Sequence, residues 1–188
     1  MYNRLRQDII SVKPYVKVGH LSENAFEIRP LTAEDWQYVR SVYVAGIASG
    51  QATFETEAPS WERWNSNHLP APRLVAIADE SILGWAALSP VSARPVYAGV
   101  AEVSVYVARE WQRRGIGRAL LEVLVTESER EGIWTLQASI FPENVASVSL
   151  HLACGFREVG RRERIAKMSS LWRDTLLLER RSKLVGND

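Results

Sequence analysis

At 188 residues, with 46% hydrophobic and 24% charged side chains, the chain has the size and balance of one soluble globular domain. A net charge of +1 removes nucleic acid and anionic membrane surfaces as expected partners, and no apolar run approaches membrane-spanning length. The single cysteine, Cys154, excludes an internal disulfide and fits a reducing cytoplasm, and the N-terminal stretch lacks a signal-peptide core.

Residues 1–25 mix basic side chains, Pro14 and scattered aliphatics, and predict a loosely ordered N-terminal extension. Phe26–Arg29 predicts a first strand, ended by Pro30. Thr32 to Asp35 has the pattern of a capping box, and Trp36, Val39, Tyr43 and Ile47 mark one face of a helix that Gly50 stops. A loop containing Thr53-Phe54-Glu55-Thr56 follows. Ser60 then caps a short helix that carries Trp61 and Trp64 and stops near Pro70. Leu74–Ala78, a turn at Asp79–Ser81 and Ile82–Leu88 predict a hairpin. Beyond the central stretch described next, Ile133–Ile140 predicts a strand. Asn144 to Cys154 predicts a helix with Val145, Val148 and Leu152 on one face and Asn144, Ser147 and His151 on another. Phe156–Arg164 and Trp172–Glu179 predict a final pair of strands. The domain is expected to span 26–182, with a tail at 183–188. This order predicts a single-domain α/β (α+β) fold, a mixed sheet with helices on both faces. The seven tryptophans suit either core packing or a pocket wall.

The stretch Glu102 to Gly132 organises the rest. Val103, Val105 and Val107 alternate with Glu102, Ser104 and Tyr106, which is strand spacing. After Gly115 the period becomes helical through Ile116, Leu120, Val123 and Leu124. Between them lies Gln112-Arg113-Arg114-Gly115-Ile116-Gly117. Free amides and partial positive charge at a helix start attract an anion, and Arg113, Arg114 and Arg118 add full charges. The glycines let backbone approach closely. Neither G-x-x-x-x-G-K-[ST] nor G-x-G-x-x-G is present, so a Walker loop and a dinucleotide fingerprint are both unsupported.

Gln112 to Gly117 resembles the acyl-CoA loop, Q/R-x-x-G-x-G/A, of the GNAT N-acetyltransferases. The resemblance runs from Glu27 to Glu179. It is carried within the superfamily toward the phosphinothricin and methionine sulfoximine (sulfone) acetyltransferases by Thr53 to Thr56, Ala93-Arg94 with Tyr97, and Glu102 before Val105-Tyr106-Val107. Asn144, Ser147, Leu150-His151, Gly155-Phe156, Trp172 and Asp174 agree as well. It implies a GNAT-like, mostly antiparallel sheet, acetyl-CoA as co-substrate without a metal, and a small-molecule amine acceptor. A homodimer is implied by resemblance alone. It implies further that Val105, Tyr106 and Val107 flank the pantetheine arm, that Gln112, Arg113, Arg114, Gly115, Ile116, Gly117 and Arg118 surround the pyrophosphate, and that Asn144 and Ser147 complete the cofactor set. Lys167 to Trp172 departs from the family's Lys-x-Gly-x-Trp pattern by one added residue and a missing glycine, in a loop that borders the acceptor pocket in relatives.

An amine reaches the site mostly as ammonium and must lose a proton before attacking a thioester. Glu102, on the strand leading into the loop, suits that base; a cross-strand ion pair is the plainer role. Asn144 suits a helix cap as well as a pantetheine contact. His151 stands where many GNAT enzymes have a tyrosine proposed as the acid for the leaving thiolate, or it is a satisfied helix histidine. Arg94, with Tyr97 beside it, suits an acceptor carboxylate or a surface ion pair. Phe54 suits a pocket wall or the core. Cys154, just before a helix-ending glycine, is a poor candidate nucleophile, and direct transfer needs no acyl-enzyme. The expected activity is N-acetylation of a small amino-acid-like acceptor in a ternary complex. A peptide N-terminus as acceptor, or a non-catalytic acyl-CoA sensor, is the alternative.

Overall fold

The computed structural model describes residues 19–20 and 25–187. The extension expected over 1–25 lies outside them, apart from Gly19, His20 and Ala25. Among the described residues the order is β1 (Gly19–His20), β2 (Ala25–Pro30), α1 (Trp36–Ala48), α2 (Trp61–Asn67), β3 (Arg73–Ala78) and β4 (Ser81–Pro90). It continues with β5 (Val100–Val107), α3 (Ile116–Arg130), β6 (Thr135–Ile140), α4 (Val145–Ala153), β7 (Arg157–Met168) and β8 (Leu171–Arg181). One sheet runs β1-β2-β3-β4-β5-β6-β8-β7. Every pairing is antiparallel except β5 with β6. The predicted sheet of mixed but mostly antiparallel strands is what forms.

Strand alternation divides the sheet into two cores. Leu74, Ala76, Leu83, Ala86, Leu88, Ala101 and Val103 face α3, whose Ile116, Leu120, Leu121 and Leu124 are buried against them. Val75, Trp85, Ala87 and Tyr106 face the other way, under Val39, Val42 and Tyr43 of α1 and Trp64 of α2. Four tryptophans, Trp36, Trp61, Trp64 and Trp85, join in that second core with ring centroids 5.4–5.7 Å apart. The capping-box residues do meet, but around a single 3₁₀ turn ahead of α1. Asp35 accepts from the Thr32 amide at 2.8 Å and from both terminal nitrogens of Arg29 at 2.7 Å.

Two expectations change. The last strands are longer than predicted and run to a two-residue turn at Ser169 and Ser170, both with positive φ, which suits a tight hairpin. Lys167 to Trp172 is therefore the hairpin tip, with Lys167 paired to Trp172 and its ammonium 5.3 Å from that ring. In α4, Val145 and Leu152 are exposed and His151 is buried. The helix packs against α3 and β7 through Val148, Leu150 and Cys154, so of the apolar stripe read from spacing only Val148 lies on the face it buries.

Gly46 costs α1 roughly 1 kcal/mol of helix propensity, and packing explains it. A Cβ there would lie 2.8 Å from the Tyr106 ring, which is itself stacked on Trp85 at 4.6 Å. That ring would have to give up its stacking on Trp85 to make way. Gly46→Ala should destabilise the fold by about 1–3 kcal/mol despite the propensity gain, read as a lower Tm.

Candidate active site

β5 and β6 pair only over Val100–Glu102 with Thr135–Gln137. Past Glu102, β5 continues beside β4 and β6 continues beside β8. The two strands separate, and one backbone edge of Val103–Val107 is left without a ladder partner. Hydrogen-bonding groups on such an edge need another acceptor or donor. The cleft at this gap has a volume of about 1260 Å³. A typical small-ligand pocket is roughly 300–1,000 Å³, so there is space for a large co-substrate and a small one. Glu102 stands at the apex of the gap. Its carboxylate has no hydrogen bond or ion pair among the described residues, so the cross-strand pair does not form.

β5 leads through a 3₁₀ turn at Arg109–Trp111 to the glycine loop. The Gln112 side chain donates to the Val107 carbonyl at 3.3 Å. Gly115 caps α3 at φ 81°, a left-handed conformation that suits glycine, and no side chain caps the helix. The first amides of α3 are therefore available to an external anion. Gln112, Arg113, Gly115, Gly117 and Arg118 line the cleft, although Arg118 also bonds Glu122 at 2.8 Å. Arg114 does not line it and lies over the Trp111 ring at 4.8 Å, and Ile116 is core. Val105, Tyr106 and Val107 line the cleft from the strand.

Residues 28–156 match the acetyltransferase (GNAT) family. The chain belongs to this family. It is 31% identical to phosphinothricin N-acetyltransferase of Alcaligenes faecalis over 87% of this chain and 87% of that protein. It is 34% identical to the phosphinothricin N-acetyltransferase of Streptomyces coelicolor, over 82% and 95%. A solved phosphinothricin acetyltransferase from Sinorhizobium meliloti, in complex with acetyl-CoA, superimposes with a TM-score of 0.75 at 26% identity, covering 87% of this chain and 96% of that one. This GNAT protein is an acetyl-CoA-dependent N-acetyltransferase related to the phosphinothricin acetyltransferases.

The other half of the acetyltransferase's cleft is built by α1, α2 and the segment 50–54 between them. That segment is a strap. Gly50 and Gln51 accept through their carbonyls from Arg173 at 3.3 Å and from Asn144 at 3.0 Å. Phe54 meets Phe141 edge-on at 4.8 Å, and the Arg173 guanidinium lies 4.1 Å from the Phe141 ring. The strap thus joins α1 to the far end of β6. Asn144 also caps α4, accepting from the Ser147 amide at 3.1 Å, so its helix-cap role is present. Phe54, Asn144 and Ser147 all line the cleft.

Arg94 and Tyr97 are not brought there. They lie on the turn between β4 and β5, exposed, with the guanidinium 5.6 Å from the tyrosine ring. Instead Tyr43, Glu55, Arg63, His68 and Ser89 border the cleft; the sequence marked Tyr43 only as part of a helix face and Glu55 only as part of the Thr53–Thr56 motif, and gave none of the five a role at the site. The four-residue spacing of Trp64 and His68 at the end of α2 was the signal that could have pointed to His68.

His151 is 3% exposed. Its Nδ1 lies 2.8 Å from the Ser147 carbonyl, and its buried Nε2 has no partner among the described residues. Burial pushes its pKa down against the opposing effect of that carbonyl. His68 is also shifted down, chiefly by burial and further by the charge of Arg73, with the Trp64 carbonyl opposing. Each therefore binds fewer protons folded than unfolded across the interval between its two pKa values, and stability rises with pH there. The contribution is full above the unfolded value of about 6.5 and is lost as pH falls below it. Tm should drop between about pH 7.5 and 5.5, and replacing both histidines with glutamine should flatten that part of the profile.

Proposed function

We propose that the enzyme transfers acetyl from acetyl-CoA to the primary amine of a small amino-acid-like acceptor, of the phosphinothricin or methionine sulfoximine (sulfone) type. Transfer is direct, within a ternary complex. The observation that carries this is Glu102, an unpaired carboxylate at the apex of the gap where β5 leaves β6. Glu102 removes a proton from the acceptor ammonium, directly or through one water. The open edge of β5 supplies backbone donors for the thioester oxygen, and the cleft holds both reactants in contact. The new N–C bond forms as the C–S bond breaks. Coenzyme A leaves as the thiolate and takes a proton from solvent, while Glu102 gives its proton back to solvent; Nε2 of His151 could serve as the acid only in its charged form, which burial opposes. The loop Gln112 to Arg118 offers the pyrophosphate the first amides of α3, from Ile116 onward, and the cationic side chains of Arg113 and Arg118.

Arg63 supports the amino-acid reading. It borders the acceptor side of the cleft and its guanidinium has no partner among the described residues, so it is placed for a carboxylate where Arg94 is not. A cytoplasmic homodimer belongs to the same reading on resemblance; among the described residues, no helix is long and apolar enough to cross a membrane. The test is acetyl-CoA turnover against amino acids, their sulfone and sulfoximine analogues, the matching amides, and short peptides. Turnover of free amino acids with rejection of their amides is expected. Turnover of peptides alone would move the acceptor to a polypeptide N-terminus, and binding without any turnover would make the protein a sensor.

A further inference from the structure

His68, just past the end of α2, is held more firmly than a surface histidine. Its ring stacks on Trp64 with centroids 4.1 Å apart and an interplanar angle of 23°. Nδ1 lies 2.7 Å from the Trp64 carbonyl oxygen, and the His68 carbonyl accepts from Arg73 at 2.9 Å. The same Arg73 guanidinium lies over the Trp64 ring. Facing a carbonyl, Nδ1 must be the protonated nitrogen, so Nε2 carries the lone pair. Burial and the Arg73 charge both favour this neutral form. Nε2 has no partner among the described residues, yet it is not among the sealed, unsatisfied atoms. It is a fixed acceptor on a residue that borders the cleft.

The sheet says where that acceptor stands. The Leu69 amide donates to the Leu88 carbonyl at 2.8 Å, which sets His68 beside the end of β4. The next residue, Ser89, is directly opposite Glu102 on β5. Opposed residues of an antiparallel pair share a face. On β4 that face is the one of Trp85 and Ala87, which α1 and α2 cover. His68, Ser89 and Glu102 therefore border one cleft from one side of the sheet.

We propose that Nε2 of His68 binds the acceptor's amine, accepting one of its N–H bonds while Glu102 takes the proton from another. This rests on the amine-acetylating reading above. An ammonium has three N–H groups. When one proton passes to Glu102, a second N–H held by a neutral imidazole keeps the nitrogen from rotating, and the freed lone pair keeps its aim at the thioester carbon. A cationic side chain in this place would repel the substrate. A neutral acceptor attracts it in both protonation states.

Two variants test this in the full-length enzyme. In His68→Asn the side-chain amide can still donate where Nδ1 did but leaves nothing where Nε2 stood. In His68→Gln a polar atom returns to the Nε2 position. With a free amino acid as acceptor, His68→Asn should lower kcat/KM for the acceptor by about 10- to 100-fold, as expected for loss of one hydrogen bond to a charged group. Acetyl-CoA affinity by calorimetry and Tm should stay near wild type, and His68→Gln should recover much of the loss. An Asn variant within twofold of wild type, a Gln variant no better than Asn, or an equal loss of acetyl-CoA affinity would each overturn the assignment. If the Asn variant does not fold, a Gln variant with wild-type Tm and acetyl-CoA affinity but with the full loss of acceptor kcat/KM overturns it, and one that keeps acceptor kcat/KM sustains it. A wild type that acetylates no amine would overturn the functional reading itself, and this contact with it.

Discussion

Glu102→Gln should lower kcat by roughly 10²–10⁴-fold, the span of a positioned general base. The glutamine keeps the size of the side chain and its ability to hydrogen-bond, and no ion pair or hydrogen bond among the described residues depends on the carboxylate. Tm should therefore hold. Acetyl-CoA affinity should also hold, because the glycine loop lies at the other end of β5 from Glu102. The pH profile distinguishes chemistry from shape. Wild-type kcat/KM should rise with pH as base and amine lose their protons. The variant should retain activity mainly at high pH, where the amine is already neutral. A profile scaled down uniformly, or near-normal turnover at neutral pH, would remove Glu102 as the base.

Gly117→Val should weaken acetyl-CoA binding by on the order of 100-fold or more, through loss of two or more charge-assisted bonds at the loop. A Cβ at Gly117 would lie 3.3 Å from Leu150 Cδ2 and 3.4 Å from Val107 Cγ2. Those contacts are already tight, and the two further methyls of valine must go into them or into the cleft. The first course pushes α3 away from α4 and β5. The second fills the place where an anion would meet the helix amides. Both displace the donor, and neither touches Glu102. Calorimetry on the folded variant reads the outcome, and unchanged affinity would remove the loop from the cofactor site. Gly117→Ala should show a smaller loss, since one methyl needs a shift of only a few tenths of an ångström.

The strand, loop and helix of the centre were legible because each is a local pattern. Alternation ends at Val107, positive φ is needed at Gly115, and the helical period starts at Ile116. Two-sided burial was legible too, since β3 and β4 are apolar at nearly every position. Failures came where position depends on distant chain. The strap's bonds link residues 93 and 123 positions apart, and no local period records them. Val145 and Leu152 share a spacing with Val148, but α4 docks at the mouth of the cleft and turns them outward. Arg94 stands near Glu102 in sequence, yet the 3₁₀ turn at Pro95–Tyr97 carries it off the cleft. Arg63 and His68 were hidden beside Trp61 and Trp64, because tryptophans that suit core and pocket wall alike do not say which face of a short helix meets a cleft.

The unladdered edge of β5 has a bearing on how such enzymes diversify. In the proposed site the donor is met largely by backbone, which side-chain substitution scarcely alters so long as Gly115 and Gly117 stay. Beyond Glu102, the acceptor is met by side chains on and just past a seven-residue helix and on a strap held by a few contacts. Mutation can rewrite the second without disturbing the first. New amine preferences are therefore reachable in small steps from a working catalyst, with the reaction itself inherited unchanged.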